Sequence, residues 1–299
     1  MKQRTYWHLE ALGRRPTDYE IATSRLLYYV GRGFEVTLPA GAWYQKHQVE
    51  SPLRAADWEA FADPRETTYR KYVELQKKKE LFVDGLFQSM EDTGYDRTLS
   101  AAWLTTLSRL AGPLRYAVHG LQMAAGYVGQ MAPSGRIVVA ALFQAADEMR
   151  RVQRLAYRTR ALQATSADFG ADARERWQSD PLWQPLREVV EQLLVTYDWG
   201  EAFAALNLSV KPAFDDVFMV RLGVLAQSRG DDLVARVLLS LNEDCEWHRA
   251  WTRALVQTAI ESEPKNRAVL DRWTGVWSAR ARTALDPFHA LFAETPSAR

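Results

Sequence analysis

The segment from Glu148 to Arg151 has the spacing of half a metal site. Dinuclear metal centres in helix bundles take a Glu-x-x-His pair from each of two helices, because residues i and i+3 lie side by side on one helix face. Glu148 lies on the apolar stripe of its segment, but its i+3 partner is Arg151. A guanidinium stays protonated and offers no lone pair to a metal. We therefore expect Glu148 and Arg151 to form an ion pair where a metal would otherwise bind.

A second segment with ligand-type residues, EDCEWH at 243–248, also lacks the motif. Asp244 has Trp247 three residues later, and His248 has Cys245 three residues before it. A third segment, Leu99 to Met131, contains no Asp or Glu at all. The sequence thus predicts degenerate ligand positions, and no metal, cofactor or catalytic residue in this chain. The degenerate positions are Glu148, Arg151, Asp244 and Trp247.

One alternative keeps a metal in the chain. Glu148, Asp244, Glu246 and His248 lie on two predicted helices that could face each other, and such a carboxylate-rich set could serve a self-sufficient helical metalloprotein. A free-standing helical adaptor is a third option. No G-x-S-x-G, G-x-x-x-x-G-K-[ST], G-x-G-x-x-G or H-E-x-x-H motif is present.

Simpler structural roles are expected for the remaining reactive side chains. His119 and His248 are interpreted as hydrogen-bonded core or interface histidines, and Cys245 as a small buried hydrophobic residue. The run from Lys77 to Glu80 is interpreted as a solvated helix face.

The elements that must position these residues are helices. The pattern predicts an extended aromatic arm over 1–62, with a short helix near 18–30, and a helical domain over 63–299. Asp63-Pro64-Arg65-Glu66 predicts a capping box that starts the first long helix. Several helices are long enough for an all-α, ferritin-like bundle. The predicted helices cover 65–92, 96–130 (interrupted at Gly112-Pro113), 134–164, 171–196, 199–229, 232–261 and 265–293.

Composition excludes several classes of function. The 38 Lys and Arg against 37 Asp and Glu give a net charge of +1, which argues against a nucleic-acid partner. A single cysteine and the lack of a long uncharged stretch predict a cytoplasmic protein without a membrane partner. The 11 Trp, 12 Tyr and 11 Phe suggest extensive contact with other chains.

Several blocks of the sequence resemble one protein family. They are PLRYAVHGLQMAAGYVGQMAPS (113–134), QAADEMRRVQRLAYRT (144–159), YDWGEAFAALNLSVKP (197–212), RTYWHLEALGRRPTDYEIATSRLLYY (4–29), SPLRAADWEAFADPRETTYRKY (51–72) and EDCEWHRAWTRALV (243–256). Together they resemble the β subunit of the hydroxylase component of bacterial multicomponent di-iron monooxygenases, in the toluene monooxygenase branch. The loop at 30–47 fits this branch less closely.

The resemblance implies a structural subunit within a larger enzyme. The β subunit shares the fold of its catalytic α partner without the iron ligands, so that Glu148-x-x-Arg151 and Asp244-x-x-Trp247 match the two Glu-x-x-His motifs of α. It assembles with α and γ subunits into an (αβγ)2 hydroxylase whose α subunit holds the di-iron centre. NADH-derived electrons arrive through a reductase and a Rieske-type ferredoxin, and a small effector protein acts on the complex. The reaction implied is hydroxylation of an aromatic hydrocarbon such as toluene, or epoxidation of an alkene.

Overall fold

The part of the chain that is described is built from helices joined by turns and short irregular segments. A computed structural model describes residues 6–27 and 39–293, and in these ranges it contains no strand. The prediction of an all-α protein is confirmed. The α-helices are α1 (Asp18–Thr23), α2 (Pro39–Tyr44), α3 (Tyr69–Asp92), α4 (Ala101–Met131), α5 (Gly135–Gln163), α6 (Ala173–Ser179), α7 (Gln184–Leu194), α8 (Trp199–Ala204), α9 (Lys211–Asp215), α10 (Leu222–Ser228), α11 (Asp232–Ser262) and α12 (Asn266–Ala293).

Helices α4 and α5 form the longest packed pair of the core. The side of α4 that is fully buried repeats every seven residues, at Leu107, Leu114, Leu121 and Val128. Seven residues are close to two helical turns, so these side chains form one continuous apolar seam. Helix α11 packs against α5 and α10, and α8 closes the bundle against α4. The four inner walls of the bundle are therefore α4, α5, α11 and the segment from α8 to α10.

Pro113 does not interrupt its helix, contrary to the sequence prediction. Helix α4 runs through it without a break. A proline cannot donate to the carbonyl of the residue four positions earlier, which here is Arg109. The indole Nε1 of Trp183 donates to that carbonyl at 3.2 Å instead. A side chain from outside the helix thus replaces the missing backbone bond.

The predicted helix at 171–196 is two helices. Helix α6 ends at Ser179, and α7 begins at Gln184 after a turn in which the Asp180 carboxylate accepts the backbone N–H of Leu182 at 2.9 Å. The Asp-Pro pair at 180–181 therefore separates two helices rather than lying inside one.

The predicted helix at 199–229 contains two π-helical turns. They span Ala205–Val210 and Asp216–Arg221, and they flank the short helix α9. Each π-helical turn inserts extra backbone and rotates the residues beyond it around the helix axis. The side chains of α9 consequently leave the register that a regular helix from 199 to 229 would have given them.

Helix α3 begins later than the capping-box signal predicted. Its N-cap is Thr68, whose hydroxyl accepts the backbone N–H of Lys71 at 3.3 Å. The Asp63 carboxylate accepts the backbone N–H groups of Arg65 and Thr67, and Trp247 Nε1 donates to it at 2.8 Å. Asp63 therefore ties the segment before α3 to helix α11.

The described residues among the first 62, which are 6–27 and 39–62, pack partly against the chain's own bundle. Tyr19, Leu53 and Phe61 are buried, and the ring of Trp58 meets Trp199 edge to face at 5.1 Å between centroids. The helix predicted near 18–30 is α1, which is shorter. Residues 28–38, which include the first half of the atypical loop at 30–47, lie outside the described residues. None of the described helices is both long and apolar enough to cross a membrane.

The two candidate starts of α3 can be separated by substitution. We expect Thr68→Ala to lower the free energy of unfolding by about 1 kcal/mol through loss of the helix cap. Asp63→Ala leaves the buried Trp247 N–H and two backbone N–H groups unpaired, so we expect a loss of roughly 2–3 kcal/mol or more. Glu66→Ala, which would break a capping box, should change stability by less than about 0.5 kcal/mol. Urea unfolding of the three variants measures this, and a large effect at Glu66 would restore the capping-box interpretation.

Candidate functional site

The predicted ion pair between Glu148 and Arg151 is present and belongs to a closed ring of four charges. Arg151 Nη1 lies 2.9 Å from Glu148 Oε2 and 3.0 Å from Asp215 Oδ1. Lys211 Nζ lies 2.8 Å from Glu148 Oε1 and 2.9 Å from Asp215 Oδ2. Each carboxylate thus contacts both cations, and each cation contacts both carboxylates. All four side chains are buried.

The ring depends on the irregular geometry of the segment from α8 to α10. Lys211 and Asp215 are the first and last residues of α9, which follows the π-helical turn at Ala205–Val210, and both contact α5: Lys211 through Glu148 and Asp215 through Arg151. On α5, Glu148 and Arg151 present the opposite charges one turn apart. The fold therefore brings together an i, i+3 pair on α5, Glu148 and Arg151, and an i, i+4 pair on α9, Lys211 and Asp215.

The charges in the ring stabilise one another against burial. Burial disfavours the charged form of Asp215, but Lys211 and Arg151 outweigh it and hold the pKa of this carboxyl below its usual value. Burial and the Arg151 charge oppose protonation of Lys211, yet Asp215 and Glu148 raise its pKa overall. Two cations and two anions share the site, so the ring carries no net charge. A buried pair that loses one partner typically costs about 3–5 kcal/mol, because the remaining charge is left uncompensated.

Two further ligand-type side chains border the ring from α11. Cys245 Sγ accepts a hydrogen bond from Arg151 Nη2, and burial raises the pKa of the thiol to about 12. His248 Nδ1 lies 3.9 Å from Glu148 Oε1 and has no hydrogen-bond partner among the described residues. The interpretation of Cys245 and His248 as buried core side chains is confirmed.

The other nitrogen of His248 contacts Asp147. Nε2 lies 2.9 Å from Asp147 Oδ2, and the second oxygen of Asp147 accepts from Tyr72 at 2.8 Å and Gln76 at 2.7 Å. Burial and the nearby Asp244 charge raise the pKa of Asp147 well above its ordinary value. Burial, together with the positive charges of Lys211 and Arg151, lowers the pKa of His248 well below its ordinary value. The histidine is therefore neutral in the folded protein.

The second predicted ligand position, Asp244, faces a separate group of cations. It accepts from Lys79 at 2.5 Å and from Arg150 at 2.8 Å. Burial disfavours its charge, but these two cations lower the pKa of Asp244 overall. Lys79 consequently belongs to the interior edge of α3, so the interpretation of 77–80 as a wholly solvated face is wrong at this residue. Glu80 also pairs inward, with Arg150 at 2.5 Å.

Trp247, the residue in place of the second histidine, points away from the ring. Its indole donates to the buried carboxylate of Asp63, in the segment before α3. The alternative donor set also fails to converge, because Glu246 is exposed while Asp244 is engaged with Lys79 and Arg150. Within the described ranges, no three His, Cys, Asp or Glu side chains are arranged to hold a metal ion. The residues present do not fit a di-iron centre, since two fixed cations lie between the carboxylates.

Comparison with known proteins identifies the family of this bundle. A family model described as Methane/Phenol/Alkene Hydroxylase matches residues 43–263. The chain belongs to this family. The resemblance found from the sequence blocks is therefore confirmed.

Relatives within the Methane/Phenol/Alkene Hydroxylase family match nearly the whole chain. The β subunit of the hydroxylase component of the toluene-4-monooxygenase system of Ectopseudomonas mendocina is 36% identical over 96% of this chain and 90% of the relative. The β chain of methane monooxygenase component A of Methylococcus capsulatus is 24% identical over 86% of this chain and 71% of its own. A solved structure of toluene 4-monooxygenase with toluene bound contains a chain that superposes with a TM-score of 0.93 at 35% identity, covering 98% of this chain and 99% of that one. The ferritin-like fold class and the homology to hydroxylase β subunits are thus established.

Sequence reasoning missed half of the ring. Lys211 and Asp215 lie in an apolar stretch, LNLSVKPAFDD at 206–216, where a lysine four residues before an aspartate was the available signal. The prediction of one regular helix over 199–229 gave no reason to expect that Lys211 and Asp215 would both face α5. Asp147, next to Glu148, was also missed as the partner of His248.

The neutral state of His248 predicts how stability depends on pH. When folding lowers the pKa of a histidine, the free energy of unfolding is at its full value at pH values above the pKa of the unfolded chain. As the pH falls below that pKa the free energy of unfolding decreases, because only the unfolded chain takes up the proton. We expect protonation of His248 in the unfolded chain to lower the free energy of unfolding by up to about 1.4 kcal/mol per pH unit below about pH 6.5. His248→Asn should remove that part of the slope.

Urea unfolding at a series of pH values measures the difference between the variant and the parent. His119→Asn is the matched control for the replacement of a histidine, since the side chain of His119 is exposed. Equal slopes for His248→Asn and the parent would contradict a neutral buried histidine.

Proposed function

We propose that this chain is the non-catalytic, structural β subunit of a multicomponent monooxygenase hydroxylase. The observation that supports this most is the ion-pair ring, in which Arg151 and Lys211 hold the carboxylates that a metal would need. A chain of this fold without metal ligands contributes surface and shape rather than chemistry. The single cysteine is in keeping with a cytoplasmic complex.

The chemistry of the complex follows from the relatives. They are named as components of toluene, phenol and methane monooxygenases. We infer an (αβγ)2 hydroxylase in which a partner α subunit carries the di-iron centre, with O2 and NADH-derived electrons supplied through a reductase and a Rieske-type ferredoxin and modulated by an effector protein. A toluene-monooxygenase β subunit is 36% identical to this chain, whereas a phenol 2-monooxygenase component is 26% and a methane monooxygenase β chain 24% identical, which favours hydroxylation of an aromatic hydrocarbon such as toluene.

The surface of the chain supports a role in assembly. Large apolar side chains are more than half exposed on several helices, and contact with another subunit would remove their apolar surface from water. A permanent subunit interface typically buries about 2,000 Å² or more, which requires several such surfaces. These residues are Tyr69, Leu81, Phe82, Val224 and Leu239.

The iron content of the isolated chain and the identity of the chains recovered with it together test this function. We expect the chain, expressed alone in iron-supplemented medium, to contain less than about a tenth of an equivalent of iron, because its carboxylates are already neutralised by fixed cations. Tagged and co-expressed with hydroxylase α and γ subunits, it should recover a second ferritin-like chain that carries about two irons. Mass spectrometry and elemental analysis measure both. Stoichiometric iron in the isolated chain, or recovery of no iron-binding helical partner, would overturn the proposal.

We further propose that the N-terminal arm, residues 1–62, lies over another subunit and that residues 63–299 form the bundle domain. Tyr6, Leu12, Leu26, Trp43 and Val49 remain exposed in the described part of the arm. Burial by a partner would remove their apolar surface from water.

Limited proteolysis tests the position of the arm. We expect cleavage within residues 1–62 to be at least about tenfold slower in the assembled hydroxylase than in the isolated chain, because a docked segment opens less often for the protease. Cleavage inside α5 serves as the internal control, since its burial does not depend on partners. Equal protection of the arm in both samples would contradict its docking.

A further inference from the structure

A groove of about 660 Å³ lies between the first half of α3 and the middle of α11. The two helices are joined beside it by hydrogen bonds from Gln76 and Lys79 to Asp244. Leu75 on α3 and Leu239 on α11 line the groove, and Leu239 is 66% exposed. Apolar surface gains free energy when a second surface covers it. The groove therefore offers an apolar contact at its centre.

The two walls of this groove carry opposite charge. Arg65, just before α3, and Lys71, on α3, line one wall, and Glu246 lines the other. None of the three has an ion-pair partner among the described residues. Arg65 lies over the ring of Trp247 at 5.8 Å, and Lys71 donates to the carbonyl of Arg65. Two cations on one side and a carboxylate on the other are thus free to pair with an occupant.

The remaining ionisable residues of the lining do not alter this arrangement. Lys79 and Glu243 pair with each other at 3.5 Å. Asp147 is buried beneath the groove, where Tyr72 donates to it at 2.8 Å. The unpaired charge is therefore positive on the α3 side and negative on the α11 side.

Walls made of two helices fit a third helix. The ridges of side chains on one helix pack into the groove between others, whereas an added strand needs a free sheet edge, and the described ranges contain no strand. The lining runs from Lys71 to Lys79 on α3 and from Leu239 to Trp247 on α11, which is about 12 Å along each helix. This length accommodates about two helical turns, enough for an apolar side chain with charged residues one turn away.

We propose that the groove between α3 and α11 binds an amphipathic helix of another component of the monooxygenase system. The bound helix packs an apolar side chain on Leu75 and Leu239, places acidic residues against Arg65 and Lys71, and places a basic residue against Glu246. This inference rests on the proposed function, because it takes the partner from the assembled enzyme. An anionic lipid surface fits less well, since the acidic wall would repel it.

Chemical labelling of the parent chain, alone and within the enzyme, tests whether the groove is occupied. We expect acetylation of Lys71 and carbodiimide modification of Glu246 to slow at least about fivefold in the enzyme, because a bound helix excludes water and reagent from both side chains. The labelled samples are the isolated chain, the hydroxylase assembled with α and γ subunits, and that hydroxylase with reductase, ferredoxin and effector added. Mass spectrometry of peptides measures the rates.

Charge reversal tests the orientation of the bound helix. Lys71→Glu and Glu246→Lys should each weaken binding of the protecting component about tenfold in sedimentation experiments, since each variant faces like charge in the partner. Lys77→Glu and Glu261→Lys are matched controls, because both residues are exposed on the same helices outside the groove. The double variant Lys71→Glu with Glu246→Lys keeps the parent's net charge, yet should bind no better than either single variant. A helix held in a folded partner cannot turn end to end to match it.

The outcomes separate this inference from the proposed function. If the hydroxylase assembles but Lys71 and Glu246 react at the same rate in all three samples, the inference is wrong and the subunit role stands. Binding of the double variant as tightly as the parent would also overturn it. So would protection that appears in the isolated chain as its concentration rises, or on vesicles of pure phosphatidylglycerol, because the occupant would then be a second copy or a lipid surface. Failure to assemble with α and γ subunits would overturn the proposed function itself and this inference with it.

Discussion

Two carboxylates buried in the centre of an apolar bundle require positive charge beside them. An isolated carboxylate in such a place is so unfavourable that it normally takes up a proton instead. Here Arg151 and Lys211 supply the compensating charge from within the chain, and each contacts both Glu148 and Asp215. The positions of the surrounding helices depend on this requirement, because displacement of any one of the four side chains would leave an unpaired charge in the core.

The irregular parts of the fold follow from the same requirement. Helix α9 follows a π-helical turn, Ala205–Val210, which shifts Lys211 and Asp215 out of the register of α8, and both side chains contact α5. Outside the ring, Asp244 is paired with Lys79 and Arg150, so that ion pairs join α3 to α5 and α11. Only Val83 and Phe87 of α3 are buried apolar residues. Charge pairing therefore replaces part of the hydrophobic packing that usually holds a helix to a bundle.

The sequence predicted those features that depend on local pattern and failed where partners are distant. Helix type, the approximate length of most helices and the Glu148–Arg151 pair depend on spacing within one helix, which a sequence displays. The predicted start of α3 was wrong because the Asp63 carboxylate accepts a hydrogen bond from Trp247, a residue 184 positions away, and Thr68 caps the helix instead. Pro113 appeared to break α4 because nothing local indicated that Trp183 would satisfy the Arg109 carbonyl. Lys211 and Asp215 were missed because π-helical turns change the face that a residue occupies, and their positions depend on packing that no single-helix pattern contains.

The two cations of the ring, Arg151 and Lys211, also affect how folding depends on the supply of metal ions. A bundle that relies on metal ions to neutralise core carboxylates is unstable until the metal binds, because the binding free energy is part of the folding free energy. A guanidinium and an ammonium on the chain are present at the moment of folding and remain charged at physiological pH. The core of this subunit can therefore form before any iron is loaded. The proposed role of this chain is to supply packing surface to an iron-binding partner. Because of the ring, its stability in that role is independent of the supply of metal.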